Sequence, residues 1–137
     1  GFAIGSKTLI DVMEAVKNSY NSYTVDSLSI EMGTASIEDK EYFEETCKKV
    51  IKTRTRVTDE LRLLGFDVLD SKTNFVFATH NEHNMKSLFE YLKTQKVFIR
   101  YFSLPRIENY VRITIGTDRE MDIFIEKTKE FILNDSK

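Results

Sequence analysis

The sequence predicts an α/β chain in which a small sheet covered by helices, an α+β domain, follows one long helix. Three observations predict this fold. Apolar residues recur at spacings of three and four over residues 41–64, the pattern changes after Gly65 to short or alternating apolar runs, and two more helical patterns separate and follow those runs. The predicted order after residue 40 is therefore helix, strand, strand, helix, strand, strand, helix.

The opening segment predicts one short strand and two helices. Residues 2–4 are apolar between two glycines, which is typical of a buried strand. Residues 7–17 and 24–38 have apolar side chains at helical spacing, and a polar loop separates them. Residues 1–38 do not fit the later unit and are predicted to be the tail end of another, larger domain. Because the chain begins without an initiator methionine, we expect it to be part of a longer protein.

Residues 39–64 are predicted to form one long bridging helix. Its apolar positions define a single helix face. Arg54 is the one charged residue at a position where that pattern calls for an apolar one, and Gly65 ends the helix. About three heptads broken by an arginine are short for a coiled coil, so we interpret the helix as one that bridges or packs against domains. The apolar positions are Phe43, Cys47, Val50, Val57, Leu61 and Leu64.

Residues 65–137 predict a small carboxy-terminal domain. Residues 66–69 and 74–78 have the short apolar runs of strands, with a polar turn between them. Residues 84–94 follow as an amphipathic helix.

The last helix begins with a capping box, in which Thr117 and Glu120 satisfy unpaired amides of the first turn. We expect the helix to fray from Asn134 onward. Its predicted buried side chains are Met121, Phe124, Ile125, Thr128 and Ile132.

Two strand-like runs between these helices contain arginine. Apolar residues alternate over residues 111–117, which places Arg112 on the face opposite the apolar one. The run over residues 96–101 contains Arg100, and Arg106 follows the only proline in the connecting loop. We expect the three guanidinium groups to converge near one pocket, where their paired donors would bind an anion.

Composition is that of an ordinary globular protein. The 137 residues are 41% hydrophobic and 31% charged, with a net charge of -2, which indicates neither disorder nor attraction to nucleic acid or an anionic membrane. A single cysteine excludes an internal disulfide and is typical of a reducing compartment. No apolar run reaches the roughly 20 residues that span a bilayer. We therefore expect a cytoplasmic protein without nucleic-acid or membrane partners.

Several short segments together carry a family resemblance. They are Gly-Phe-Ala-Ile-Gly at 1–5, residues 16–23 and 38–43, Leu-Gly-Phe at 64–66, Thr-Asn-Phe-Val-Phe at 73–77, Ile-Arg at 99–100, Leu-Pro-Arg-Ile at 104–107, and residues 111–117. In this order and spacing they resemble the carboxy-terminal part of the histidinol-phosphate aminotransferase family, which consists of pyridoxal-phosphate (PLP) enzymes of the aspartate-aminotransferase fold, fold type I. The resemblance covers nearly all of the chain.

The resemblance implies amino transfer between histidinol phosphate and glutamate or 2-oxoglutarate, in histidine biosynthesis, by a homodimeric enzyme. It implies that residues 1–38 end the large PLP-binding domain, and that the Schiff-base lysine and the other cofactor-binding residues precede them. The chain alone would then bind no PLP and be inactive. Lys7 and Lys72 each lie in a Ser-Lys-Thr triplet, but both are predicted to be solvated lysines that do not form the imine.

The resemblance also implies roles for five residues. Arg112 matches the arginine that binds the anionic group of the substrate, and Arg100 matches a second anion-binding arginine. Arg106 is either at the mouth of the pocket or a solvated loop charge. Tyr20 and Asn21 fall in a loop that the family places near the active site or the dimer interface.

Alternatives to this function remain open. Within the same fold they are an aminotransferase for aromatic amino acids or a threonine-phosphate decarboxylase. Outside enzymes, the alternative is a module that binds an anionic metabolite through Arg100 and Arg112. The spacing of His80 and His83 predicts a solvated turn and no metal site. We also expect the isolated chain to self-associate, because the apolar sides of residues 1–38 would lack a partner.

Overall fold

The structure is a computed structural model that describes residues 3–135. The chain divides into two compact units, Gly1–Phe43 and Glu44–Lys137. The assignment of residues 1–38 to a larger domain stays a prediction. No helix within the described range is both long and apolar enough to cross a membrane.

The first unit contains the two predicted helices, α1 (Lys7–Tyr20) and α2 (Ser27–Glu38). The start of α2 is fixed by Asp26, whose carboxylate accepts a hydrogen bond from the Ser29 amide at 2.9 Å and so satisfies one unpaired donor of the first turn. This cap explains why α2 begins three residues later than the apolar pattern predicts.

The strand predicted over residues 2–4 is wrong where the structure describes it. Ala3 and Ile4 belong to no strand, and the Ile4 side chain is 91% exposed. A strand needs a hydrogen-bonded neighbour, and no strand is present among residues 3–43 to provide one. Phe2 lies outside the described residues.

The long helix, α3 (Lys40–Leu63), confirms the predicted element. Its apolar face is buried only in the second half, at Thr53, Val57 and Leu61, whereas Phe43 is 62% exposed. The hydrophobic core of the second unit includes Val57 and Leu61. Apolar spacing alone therefore predicts the helix correctly but overestimates how much of its apolar face is buried.

The second unit is a four-stranded antiparallel sheet with α3, α4 and α5. Its strand order is β1-β2-β4-β3, so the chain passes from β2 through α4 and the edge strand β3 before it returns to β4 beside β2. The sheet confirms the predicted α/β class. The elements are β1 (Phe66–Val68), β2 (Phe75–His80), α4 (Met85–Thr94), β3 (Arg100–Tyr101), β4 (Val111–Thr114) and α5 (Asp118–Asp135).

Strand β3 is shorter than the predicted residues 96–101 because α4 ends in a Schellman motif. Lys96 has a left-handed φ of 61°, and its amide bonds to the Lys93 carbonyl at 3.1 Å. The Val97 amide bonds to the Leu92 carbonyl at 2.9 Å. These two hydrogen bonds form the reverse turn that ends many helices. The residues that follow therefore leave the helix before the chain enters the sheet.

One face of the sheet packs on the helices and the other face carries the candidate site. Strand residues on the packed face alternate with partly exposed ones along β2 and β4. The packed strand residues are Phe66, Val68, Val76, Ala78, Val111 and Ile113, and the helices add Met85, Leu88, Leu92, Met121, Phe124, Ile125 and Phe131.

Helices α3 and α5 are joined by a polar cluster. Thr53 donates a hydrogen bond to Asp118 at 2.8 Å, and Arg56 forms ion pairs with Asp118 at 3.3 Å and Asp122 at 2.8 Å. The Thr53 hydroxyl, and then Arg56, lower the pKa of Asp118 below its ordinary value. The cluster fixes the start of α5 against α3.

The capping box predicted at the start of α5 is confirmed, but the predicted fraying is wrong as far as the structure extends. Asn134 and Asp135 are helical, and the Asp135 carboxylate accepts a hydrogen bond from His83 Nδ1 at 2.7 Å. The predicted buried set is correct except that Phe131 is buried where Ile132 was expected, and Ile132 is only partly buried.

The solvated turn predicted for the two histidines is wrong, since both are buried. His80 is 6% exposed, its Nδ1 accepts the Glu82 amide and its Nε2 donates to the Leu64 carbonyl, each at 3.1 Å. His83 is 7% exposed and pairs with Asp135. These contacts link the end of β2 to the ends of α3 and α5, and such tertiary contacts are invisible in the spacing of two histidines.

We expect Gly65→Ala to destabilise the second unit. Gly65 has a φ of 88°, and a Cβ atom there would lie 2.8 Å from His80 Nε2. The left-handed backbone alone costs an alanine about 1–2 kcal/mol. Chemical denaturation followed by circular dichroism measures the loss. Gly33→Ala is the control, because that helical glycine has nothing within 4 Å of the added carbon; equal stability of the two variants would contradict the packing around His80.

We expect the capping box to contribute an acid-sensitive part of stability. Hydrogen bonds from the Thr117 amide and hydroxyl, each 2.8 Å, lower the pKa of Glu120. A lowered pKa in the folded state means that this stabilisation is present above the ordinary carboxyl pKa and is lost as pH falls through the lowered value. Glu120→Gln should therefore flatten the decline in unfolding free energy between about pH 5 and pH 3. Glu126→Gln, at an exposed residue of the same helix, should leave the decline unchanged.

Candidate anion-binding site

Three neighbouring strands place two arginines side by side. Phe77 of β2, Arg112 of β4 and Arg100 of β3 are directly opposite one another in the antiparallel register. Residues opposite each other on antiparallel strands lie on the same face. The residues on either side of Arg112, Val111 and Ile113, are buried in the core, so both arginines lie on the face of the sheet away from the core.

Arg112 rests on two phenyl rings. Its guanidinium carbon is 5.3 Å from the centre of the Phe75 ring and 5.9 Å from the centre of the Phe102 ring. Both distances are within the range of a cation–π contact. Arg112 is partly buried, and its Nε atom is shielded from solvent without a hydrogen-bond partner.

The charge of Arg112 is not neutralised within the described chain. None of the carboxylates of residues 3–135 forms an ion pair with it, and its terminal Nη atoms make no hydrogen bond there. Burying part of an unpaired charge is costly, and an anion from outside would remove that cost. This arrangement is what a receptor for a carboxylate or phosphate requires.

Arg100 contacts the same ring from the edge strand. Its guanidinium carbon is 5.5 Å from the centre of the Phe102 ring, and the residue is exposed. Arg100 also lacks an ion pair with any acid in the part of the chain that the structure describes. The structure therefore brings two of the three predicted guanidinium groups into contact with one aromatic ring.

The rings beneath the arginines support one another. Phe77 stacks on Tyr110 with centroids 4.8 Å apart, and it meets Phe102 edge to face with centroids 6.2 Å apart. Sequence reasoning missed these aromatic residues as part of the site. The alternation of Phe75 and Phe77 with buried Val76 was the available signal, since it places both rings on the face that Arg112 shares.

Arg106 occupies a turn and not the ring cluster. The Ile107 amide bonds to the Leu104 carbonyl at 3.2 Å, and Arg106 has a φ of 74° after Pro105. Proline followed by a residue with positive φ is typical of a type II turn. The Arg106 side chain is exposed, and its role at a pocket mouth stays a prediction.

Three further residues that the sequence analysis singled out, Tyr20, Asn21 and Lys7, lie at exposed positions. Tyr20 ends α1 and is 94% exposed, and the Asn21 amide caps that helix through the Lys17 carbonyl at 2.7 Å. Roles of Tyr20 and Asn21 in a pocket or interface stay predictions. Lys7 forms an ion pair with Asp11 at 2.7 Å and is a solvated surface lysine.

The chemistry that this site supports is anion binding. Guanidinium groups do not lose a proton at neutral pH, so neither arginine acts as an acid or a base. Over residues 3–135 there is no group of three histidine, cysteine, aspartate or glutamate side chains placed to hold a metal ion. The site has the groups needed to bind and orient an anionic group.

Comparison with known proteins connects this geometry to a family. The sequence model described as "Aminotransferase class I and II" matches residues 1–127. Histidinol-phosphate aminotransferase of Clostridium beijerinckii is 50% identical over all 137 residues, and that of Brachyspira hyodysenteriae is 48% identical over 134 residues. The chain spans 38% of the length of each of these relatives.

Solved structures confirm the fold. Histidinol-phosphate aminotransferase from Sinorhizobium meliloti, in complex with pyridoxal-5'-phosphate, matches 90% of this chain and 34% of its own with a TM-score of 0.81 and 22% identity. The enzyme from Clostridium acetobutylicum matches 90% of this chain and 38% of its own with a TM-score of 0.80 and 21% identity. Sequence model and fold agree along most of the chain: it belongs to the class I and II aminotransferase family.

Proposed function

We propose that this chain is the carboxy-terminal part of a histidinol-phosphate aminotransferase and forms the part of its site that binds the substrate anion. The reaction would transfer an amino group between histidinol phosphate and 2-oxoglutarate in histidine biosynthesis. The names of relatives at about half identity support this choice. The observation that carries it is Arg112, a partly buried cation on two phenyl rings with no carboxylate partner among residues 3–135.

The pair of arginines suits an enzyme that accepts two dissimilar substrates. Histidinol phosphate presents a phosphate, whereas glutamate and 2-oxoglutarate present carboxylates. The planar fork of arginine makes two parallel charge-assisted bonds to either anion. By fixing the anion, Arg112 and Arg100 would orient the reacting amine or ketone, and such orientation contributes to rate without bond-breaking by the arginines themselves.

The cofactor of the complete enzyme is proposed to be pyridoxal phosphate, which supplies the electron sink for amino transfer when it is bound. Neither of the two lysines that lie in a Ser-Lys-Thr triplet fits the lysine that forms the imine with this cofactor. Lys7 is paired with Asp11 in solvent, and Lys72 is exposed in a turn, whereas a lysine nucleophile must be desolvated. We therefore assign this chain to substrate recognition alone and propose that it is inactive without the rest of the enzyme.

We also propose that the complete enzyme is a cytoplasmic homodimer with small-molecule substrates only. The single cysteine supports a reducing compartment and the near-neutral charge supports the absence of charged macromolecular partners, whereas the homodimer is what the family resemblance implies. The chain by itself is expected to self-associate, because many apolar side chains of the first unit are exposed, among them Leu9, Val12, Val16, Leu28 and Met32.

Replacing Arg112 tests the proposal. In the complete protein that contains this chain, Arg112→Ala should lower kcat/KM for histidinol phosphate and for glutamate by about 100-fold or more, because two charge-assisted hydrogen bonds are lost. Arg119→Ala is the matched control. That arginine is exposed in the first turn of α5 and should tolerate replacement.

Assays of the two half-reactions, with histidinol phosphate and with glutamate, distinguish the proposed function from its alternatives. Loss of activity on glutamate alone would contradict a shared site for both anions. A preference of the unmodified enzyme for phenylalanine over histidinol phosphate would favour an aromatic aminotransferase. Absence of any transamination, with retained binding of anions, would favour a binding module.

A further inference from the structure

Two like charges lie directly opposite each other in the sheet. Arg100 and Arg112 are register partners on β3 and β4, a placement that is destabilising for side chains of the same sign. Neither has an ion pair with an acid in the described part of the chain. No acid in that part of the chain offsets the repulsion between the two guanidinium groups, so another contact is needed to do so before an anion binds.

The Phe102 ring is the group that contacts both. It is one residue beyond β3, and its centroid is 5.5 Å from the guanidinium carbon of Arg100 and 5.9 Å from that of Arg112. An aromatic face has negative electrostatic potential and attracts each cation. Phe75 contacts Arg112 without contacting Arg100, so it cannot couple the two.

The Phe102 ring is itself held in place. Phe77 meets it edge to face, with ring planes at 67°, and Phe77 in turn stacks on Tyr110. Phe77 is the register partner of Arg112 on the other side of β4. A ring fixed in this way can restrict the conformations of two long side chains, which otherwise lose entropy when they bind an anion.

We propose that Phe102 is a positioning residue. Its ring contacts both Arg100 and Arg112 and holds their guanidinium groups where both can bind the same substrate anion. This inference rests on the proposed function of the site and deepens it. In this role Phe102 touches no reacting atom. It acts through the arginines by offsetting their mutual repulsion and by ordering them before binding.

Replacing the ring tests the inference in the complete protein. Phe102→Leu should raise the KM for histidinol phosphate and for 2-oxoglutarate, and the inhibition constant of inorganic phosphate, by about tenfold, as expected for loss of two cation–π contacts. The value of kcat should change by less than about threefold, because the bound anion itself holds both arginines in place and the substrate is then oriented as before. Phe102→Tyr keeps the ring and should restore binding to within about twofold.

A matched control and a shape-conserving series exclude a merely structural effect. Phe98→Leu removes a phenyl ring that is 77% exposed and should leave all constants unchanged. Phenylalanine with one, two or three ring fluorines at position 102 keeps the shape but weakens the negative face of the ring. Anion affinity should fall stepwise along this series, and this readout remains available even where Phe102→Leu fails to fold.

The outcomes distinguish the inference from the function on which it rests. If Arg112→Ala abolishes phosphate inhibition but neither Phe102→Leu nor the fluorinated series alters it, the positioning role is wrong and the proposed function stands. If none of these changes alters anion binding, the proposed function itself is wrong. In the double variant Arg112→Ala with Phe102→Leu, the combined loss should be smaller than the product of the two single losses; a full product would overturn the claim that the ring acts through Arg112.

Discussion

The register between β3 and β4 is the constraint on which the candidate site depends. Because Arg100 faces Arg112 in that register, two cations share one face of the sheet, and the chain immediately after β3 brings Phe102 against both. A shift of one residue would turn each side chain to the other face. Arg100 would then point into the core, whose buried residues include no acid that could pair with it.

The rest of the second unit fixes this register. The core face of the same strands packs on α3, α4 and α5 through a continuous apolar cluster, and a densely packed core permits little sliding of one strand past another. The polar cluster around Arg56 and the two buried histidines fasten the helices at their ends. The arginines are consequently presented from a rigid surface, which suits recognition of a small anion by geometry.

Some features of the fold and the site could be predicted from local sequence patterns, and others could not. The alternation around Arg112, the long amphipathic α3 and the Thr117 capping box are properties of short stretches of chain, and each was predicted correctly. The ring shared by Arg100 and Arg112 depends on which strands pair, and burial of His80 and His83 depends on where α3 and α5 end. The strand predicted at 2–4 and the early end predicted for α5 failed for the same reason, since only tertiary neighbours decide them.

A crystal structure of the complete protein with bound histidinol phosphate would show whether Arg112 and Arg100 bind the substrate anion. We expect phosphate oxygens within about 3 Å of the terminal nitrogens of Arg112, with Arg100 turned toward the same phosphate and both guanidinium groups still over Phe102. A structure in which the phosphate binds elsewhere, while Arg112 is paired with a carboxylate of the protein, would contradict this role of the two arginines.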